Sequence, residues 1–279
     1  MVKVGFIDYY LDEWHANNYP KLLKDNSGGR YIVSCAYGLI DSPSGDTNKK
    51  WSEKNNIPLC SSIDELVEKC DCIIVLSPDN PEMHLKLSEK ALLSGKRVYI
   101  DKTFSIKKSE AEKIFELAEK GHSVCWSSSA LGFATELSAV DKKSIDSVYI
   151  EGPENFEVGA VHLAEQAAVL VEGNPKRVMA VNRENHPSLA VEFDSGVVAH
   201  LIHRNDDIYT YAFTPCDKDN NAVRYVIKSD FFKAFINAVI DFFDTGKIPV
   251  SHEQTLNVVS IIEAGEKALN KPFEWVYID

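Results

Sequence analysis

Apolar residues follow two alternating periods over the first part of the chain. Val2 to Ile7, Cys72 to Leu76 and Arg97 to Ile100 are short apolar-rich runs without strict alternation, the pattern of strands covered on both faces in a parallel sheet. Between them the spacing becomes helical. Asp12 to Lys24 places Trp14, Leu22 and Leu23 on such a period, and Ser62 to Cys70 opens with Ser62 as an N-cap ahead of Leu66 and Val67. Glu82 to Ser94 carries Met83, Leu85, Leu87, Ala91 and Leu92 and is closed by Gly95. Ser109 to Lys120 turns Ala111, Ile114, Phe115 and Ala118 inward and is closed by Gly121. Tyr31 to Ile40, after the Gly28-Gly29 turn, and His122 to Trp126 read as further strands. The polar tract Ser42 to Asn56 predicts a loop with one helical turn. Strands alternating with helices in this way specify βαβ units and a doubly wound, Rossmann-like parallel sheet.

After about residue 130 the pattern changes. Ser147 to Glu151, Arg177 to Asn182, Ser188 to Phe193, Val197 to Arg204, Tyr209 to Thr214 and Ala222 to Ile227 are β-like runs separated by turn residues such as Asp194-Ser195-Gly196. A helix near Ala160 to Val171 interrupts them, and amphipathic helices over Asp230 to Asp244 and His252 to Leu269 close the chain. The expected fold is α/β, with a doubly wound N-terminal domain over 1–127 and a C-terminal α+β domain over 128–279 whose sheet is mostly antiparallel.

Composition narrows the partners. With 30 Lys+Arg against 42 Asp+Glu over 279 residues, the formal net charge is −12. Nucleic acid and anionic membranes, both bound through clustered Lys and Arg, are therefore not expected partners. The apolar run Cys72 to Leu76 falls far short of the roughly 18 to 20 residues that span a bilayer. The opening MVKVGFID reads directly as a strand without a signal peptide, so a cytoplasmic protein is expected. The cysteines read as buried reduced thiols, since Cys70 and Cys72 form C-x-C rather than a zinc-type C-x₂-C pair. No metal site is expected either from His200 and His203, which alternate onto opposite faces of a strand.

Ligands of an open parallel sheet bind beyond the carboxyl ends of its strands. That singles out Asp8 to Asp12, Gly38 to Asp41, Ser77 to Asn80 and Asp101 to Thr103. A dinucleotide is the default ligand of such a sheet, yet the glycine turn G-x-G-x-x-G after the first strand is absent. Asp8, Tyr10 and Glu13 hold its positions. Their side chains crowd the phosphates, and the carboxylates of Asp8, Asp12 and Glu13 repel them. His15, beside this turn, is placed to line the cleft.

The segment Ala91-Leu92-Leu93-Ser94-Gly95-Lys96-Arg97-Val98-Tyr99-Ile100-Asp101-Lys102-Thr103 resembles the A-L-x-x-G-K-x-V-x-x-E-K-P signature of the glucose-fructose oxidoreductase / inositol dehydrogenase / rhizopine catabolism (Gfo/Idh/MocA) family. Ile57-Pro58 with Ser62 to Leu66, Ser77-Pro78 with His84, Val161-His162-Leu163-Ala164-Glu165, and Phe235 to Pro249 are similar to further family segments in the same order. The resemblance implies an oxidoreductase that uses NAD or NADP and acts on a sugar- or polyol-like hydroxyl. It implies catalytic roles for Lys102 and His162, cofactor contacts from Asp8, Tyr9, Tyr10, Ser77, Pro78, Asp101 and Lys102, and substrate contacts from His15, Glu157 and His162. Asp101 and Thr103 replace the motif's Glu and Pro. The acid that the family places one helical turn before the histidine is here Val158, with Glu157 next to it. A homodimer or higher oligomer is implied as well. A second expectation stands beside the first: a non-catalytic relative that binds a sugar-like or nucleotide ligand as a sensor or partner subunit.

Overall fold

Five parallel strands form the first sheet: β1 (Val2–Asp8), β2 (Tyr31–Gly38), β3 (Cys72–Val75), β4 (Arg97–Ile100) and β5 (Val124–Trp126), in the order β2-β1-β3-β4-β5. The chain leaves β1 toward β2 and returns to β3 on its other side, so the strand order reverses between β1 and β3, where open sheets of this kind bind ligands. In this computed structural model, which describes residues 1–181, 186–204, 206–219 and 221–279, the chain divides into two units. The first comprises Met1–Ser128 and Lys233–His252; the second comprises Ser129–Phe232 and Glu253–Asp279.

The helices of the first unit are α1 (Trp14–Asn26), α2 (Asn48–Asn55), α3 (Ile63–Lys69), α4 (His84–Leu92) and α5 (Lys108–Gly121). Helix α2 corrects the loop expected over Ser42 to Asn56. Thr47 caps it by accepting the Lys50 N–H at 3.3 Å, and its one large apolar side chain, Trp51, is fully buried. A single anchor leaves no period to read in the sequence; packing, not amphipathic spacing, holds this helix. At the end of α5 the left-handed residue is His122 (φ 54°), and Gly121 is the last helical residue. Its lack of a side chain answers a close approach instead, because a Cβ there would lie 2.0 Å from the Leu92 carbonyl oxygen. With His122 used as the cap, β5 starts only at Val124. The buried His84 presents Nδ1 to the Phe104 carbonyl at 3.1 Å and Nε2 to the Leu76 carbonyl, and burial lowers its pKa. It ties the end of β3 to the segment after β4.

The second unit has strands β6 (Ile145–Gly152), β7 (Pro175–Ala180), β8 (Ser188–Phe193), β9 (Val198–His203), β10 (Ala212–Asp217), β11 (Tyr225–Val226) and β12 (Trp275–Tyr277), in the order β11-β10-β6-β9-β8-β7-β12. Only the β6/β9 pair is parallel among these described strands, which agrees with a mostly antiparallel sheet. The strand expected to run to Asn182 ends at a position outside the described residues. Strand β12 has no counterpart among the expected elements. The remaining helices of the chain are α6 (Phe156–Leu170), α7 (Phe231–Thr245) and α8 (His252–Leu269). Helix α6 starts before the expected Ala160 because Asn155 caps it, accepting the Val158 N–H at 3.1 Å.

Val148, Ile150 and Leu201 of the second sheet are buried with Leu163 and Ala167 of α6 and Ile261 of α8 in one core. The opposite face is mixed rather than apolar, with Tyr149 stacked on His200 at 4.7 Å and Arg177 paired with Glu192. From Lys233 onward, α7 belongs to the first unit, where Phe235 packs against Tyr99 (5.3 Å between ring centroids), Trp126 and Tyr19. All six cysteines are free thiols. No helix among the described residues is long and apolar enough to cross a membrane.

Candidate functional site

The carboxyl ends of β1 and β4 carry a cluster of carboxylates around one imidazole. Asp8 ends β1 with 1% of its surface exposed; it accepts the Tyr9 N–H at 2.7 Å through Oδ1, and its Oδ2 has no hydrogen-bond partner. Burial above all, then the charges of Glu13 and Asp101, raise the Asp8 pKa well above its ordinary value. Glu13 is the N-cap of α1 and accepts the N–H groups of His15 (2.7 Å) and Ala16. The same carboxylate holds His15 Nδ1 at 2.9 Å, while His15 Nε2 lies 3.6 Å from Asp101 Oδ2. Asp101, after β4, is equally buried and accepts the Tyr99 hydroxyl at 2.9 Å. Burial opposes the His15 imidazolium, but Asp101 and Glu13 outweigh it and the pKa rises.

The remaining residues expected at this site lie on the neighbouring loops. Lys102 is half-buried directly after Asp101, and the peptide bond from Lys102 to Thr103 is cis. Tyr10 donates its hydroxyl to Asp79 at 3.1 Å, and burial together with that carboxylate pushes its pKa up to about 12. Tyr9 is half-buried beside the Tyr10 ring. Ser77, at φ 74°, stands in the left-handed region two residues after β3 and donates its hydroxyl to the Asn80 carbonyl; Pro78 is buried. A serine held there carries backbone strain of the kind found where a chain is bent around a site.

Asp8 yields a pH-dependent prediction. A carboxyl group whose pKa is raised by folding costs no stability below its unfolded value of 3.8 and progressively more as pH rises toward the folded value. Asp8→Asn retains an acceptor for the Tyr9 N–H and cannot ionise. The variant is expected to melt higher than the parent at pH 7, with the gain vanishing as pH falls below 3.8. A gain that stays constant with pH in thermal melts would contradict the assignment.

The phosphates of a dinucleotide need free N–H groups in the first helical turn and a backbone that approaches without side chains. Here the His15 and Ala16 amides are taken by Glu13, and Asp8 and Tyr10 project where glycines would stand. The loops are also stitched together. Asn48 accepts the Leu11 N–H at 3.0 Å and donates to the Gly38 and Ile40 carbonyls, and Asp12 accepts the Asp46 N–H at 2.7 Å. The residues following β1 do not fit the pyrophosphate of a dinucleotide.

In the second unit, His162 lies on α6 with Nδ1 2.7 Å from Ser129 Oγ and Nε2 3.8 Å from Glu154 Oε2. Glu154 accepts hydroxyls from Tyr211 (2.7 Å) and Tyr209 (3.2 Å). Burial, then the Glu154 charge, raises the Tyr211 pKa. Glu165, 2% exposed, accepts the Ser129 N–H at 3.0 Å and the Gln254 side-chain N–H at 2.7 Å, fixing the segment that carries the Ser129 hydroxyl. Glu157 and Val158 are exposed on the first turn. The carboxylate beside His162 therefore comes from Glu154, ahead of the Asn155 cap, and not from Glu157. Helical spacing could not find it, because Glu154 lies outside the helix. The signal available was the acid immediately before a good N-cap residue. No group of three or more His, Cys, Asp or Glu among the described residues is arranged to hold a metal ion.

Residues 35–129 match the family model GFO_IDH_MocA, described as an oxidoreductase family with an NAD-binding Rossmann fold. No curated protein matches the sequence. Among solved structures, myo-inositol 2-dehydrogenase from Lactobacillus plantarum is similar at 12% identity and a TM-score of 0.75, over 100% of this chain and 99% of that one. The WlbA dehydrogenase from Bordetella pertussis, in complex with NADH and UDP-GlcNAcA, is similar at 10% identity and a TM-score of 0.76, over 100% and 99%. Biliverdin reductase from Synechocystis, in complex with biliverdin and NADP+, is similar at 16% identity and a TM-score of 0.71, over 96% and 98%. At such identities the likeness is one of fold. Over residues 35–129 this chain is similar to the Gfo/Idh/MocA oxidoreductases with an NAD-binding Rossmann fold, and over its whole length it shares their fold.

Proposed function

We propose that this chain binds a sugar- or polyol-like small molecule and that His162 exchanges a proton with one of its hydroxyls. The observation that carries the reading is the His162 imidazole held between a hydroxyl and a carboxylate, with Ser129 Oγ at 2.7 Å and Glu154 Oε2 at 3.8 Å. A working acid–base histidine has its ring oriented by a fixed protein group and a carboxylate near enough to favour the imidazolium. The Ser129 contact supplies the first. The Glu154 carboxylate, 3.8 Å from Nε2, supplies the second. Tyr209 and Tyr211 hold Glu154 in place for this exchange.

Calorimetry against a panel of inositols, aldoses and alditols tests the reading. At least one member is expected to bind measurably, and no binding by any member up to about 10 mM would overturn it. Hydride transfer with NAD or NADP, which the family match over residues 35–129 would suggest, is not part of this proposal, because the residues following β1 do not fit the cofactor pyrophosphate. Absorbance of reduced nicotinamide forming on the same panel would overturn that exclusion.

A further inference from the structure

We infer that Glu13 is a resident anion: its carboxylate fills the place at the start of α1 where a Rossmann sheet holds the cofactor pyrophosphate, and this chain binds no dinucleotide. Both carboxylate oxygens are engaged inside the protein. Oε1 accepts the Ala16 N–H, and Oε2 accepts the His15 N–H at 2.7 Å and faces His15 Nδ1 at 2.9 Å. With only 8% of Glu13 exposed, this is an internal contact that a ligand would have to break. An N-terminal turn stabilises one anion through its free N–H groups, and a second anion brought to the same groups finds them occupied and meets like charge.

Three further observations agree. Asp8, at the end of β1, is buried with one oxygen unpartnered, where a phosphate would need a glycine backbone. Asn48 reaches from α2 to the Leu11 N–H and to the Gly38 carbonyl, bridging the ends of β1 and β2 beside which a nucleotide would lie. The family model begins to match only at residue 35, after β1 and α1.

The substitution also has a positive consequence. The carboxylate that occupies the helix start orients the His15 ring, with Nδ1 on Glu13 and Nε2 directed at Asp101 3.6 Å away. A place that serves phosphate binding in the fold thus holds an imidazole between two buried carboxylates in this chain. Glu13 is accordingly a positioning residue for His15. None of this depends on the role proposed for His162.

Two measurements on the full chain test the inference. Fluorescence titration with NADH and with NADPH to about 1 mM is expected to give no saturable signal, and saturable binding of either nucleotide overturns the inference. The His15 ring proton, followed by NMR through a pH titration, is expected to report a pKa above its ordinary 6.5 in the parent and a lower one in Glu13→Gln. An unchanged His15 titration in that variant would remove Glu13 as its positioning group. Should Glu13→Gln fail to fold, the nucleotide titration of the parent chain decides the matter alone.

Discussion

Gly121→Val is expected to lower the melting temperature by about 6–12 °C, corresponding to roughly 3 kcal/mol of overpacking at about 2–4 °C per kcal/mol in a chain of this size. The added Cβ would lie 2.0 Å from the Leu92 carbonyl oxygen and 2.4 Å from the Leu93 Cα. Both are backbone atoms at the end of α4, so no side chain can rotate away to make room. Gly28→Ala supplies the contrast. Its φ of 60° also disfavours a side chain, yet nothing lies within 4 Å of the added atom. It should cost only about 1 kcal/mol, the penalty of a left-handed non-glycine residue. Equal losses in the two variants, read by thermal denaturation, would show that backbone conformation and not the α4/α5 approach governs Gly121.

His162→Gln is expected to weaken binding of whichever hydroxylated ligand the panel identifies by about 10-fold, the loss of roughly one hydrogen bond to a titratable group. Glutamine preserves a polar contact with Ser129 and cannot take up a proton, so helix α6 should form as before, a point that circular dichroism checks. Glu154→Gln should act differently. Removing the carboxylate 3.8 Å from Nε2 takes away a charge that favours the imidazolium, so the pH dependence of ligand binding should move to lower pH. An unaltered affinity in His162→Gln would eliminate this histidine as the group that meets the ligand hydroxyl. An unaltered pH profile in Glu154→Gln would show that the carboxylate serves only to anchor Tyr209 and Tyr211.

Much of the architecture can be read from residue order alone, because strands buried on both faces and helices with one apolar stripe leave periodic signatures. Cys72 to Leu76 and Ser109 to Lys120 are examples, each found within a residue or two of its expected bounds. Elements held by a single anchor leave none. Helix α2 rests on Trp51 and a Thr47 cap, and β12 is a short terminal strand paired only with β7 among the described residues. The site divides in the same manner. The residue types at 8, 10 and 13 already argue against a phosphate turn, and His15, Asp101, Lys102 and His162 stand out beside strand ends or by family resemblance.

The partners of those residues are another matter. Glutamate is not a favoured N-cap, so nothing in the residue order marks Glu13 as the group that closes the start of α1. Glu154 reaches His162 from a loop rather than along a helix face, and Asn48 crosses from α2 to the ends of β1 and β2. The sequence by itself determined the sheet class, the order of elements and the loss of the glycine turn, because these follow from local spacing and the presence or absence of a Cβ. Only the tertiary structure decided which carboxylate meets which imidazole and what fills the vacated phosphate place, because those contacts join segments whose approach is set by packing and not by their separation along the chain.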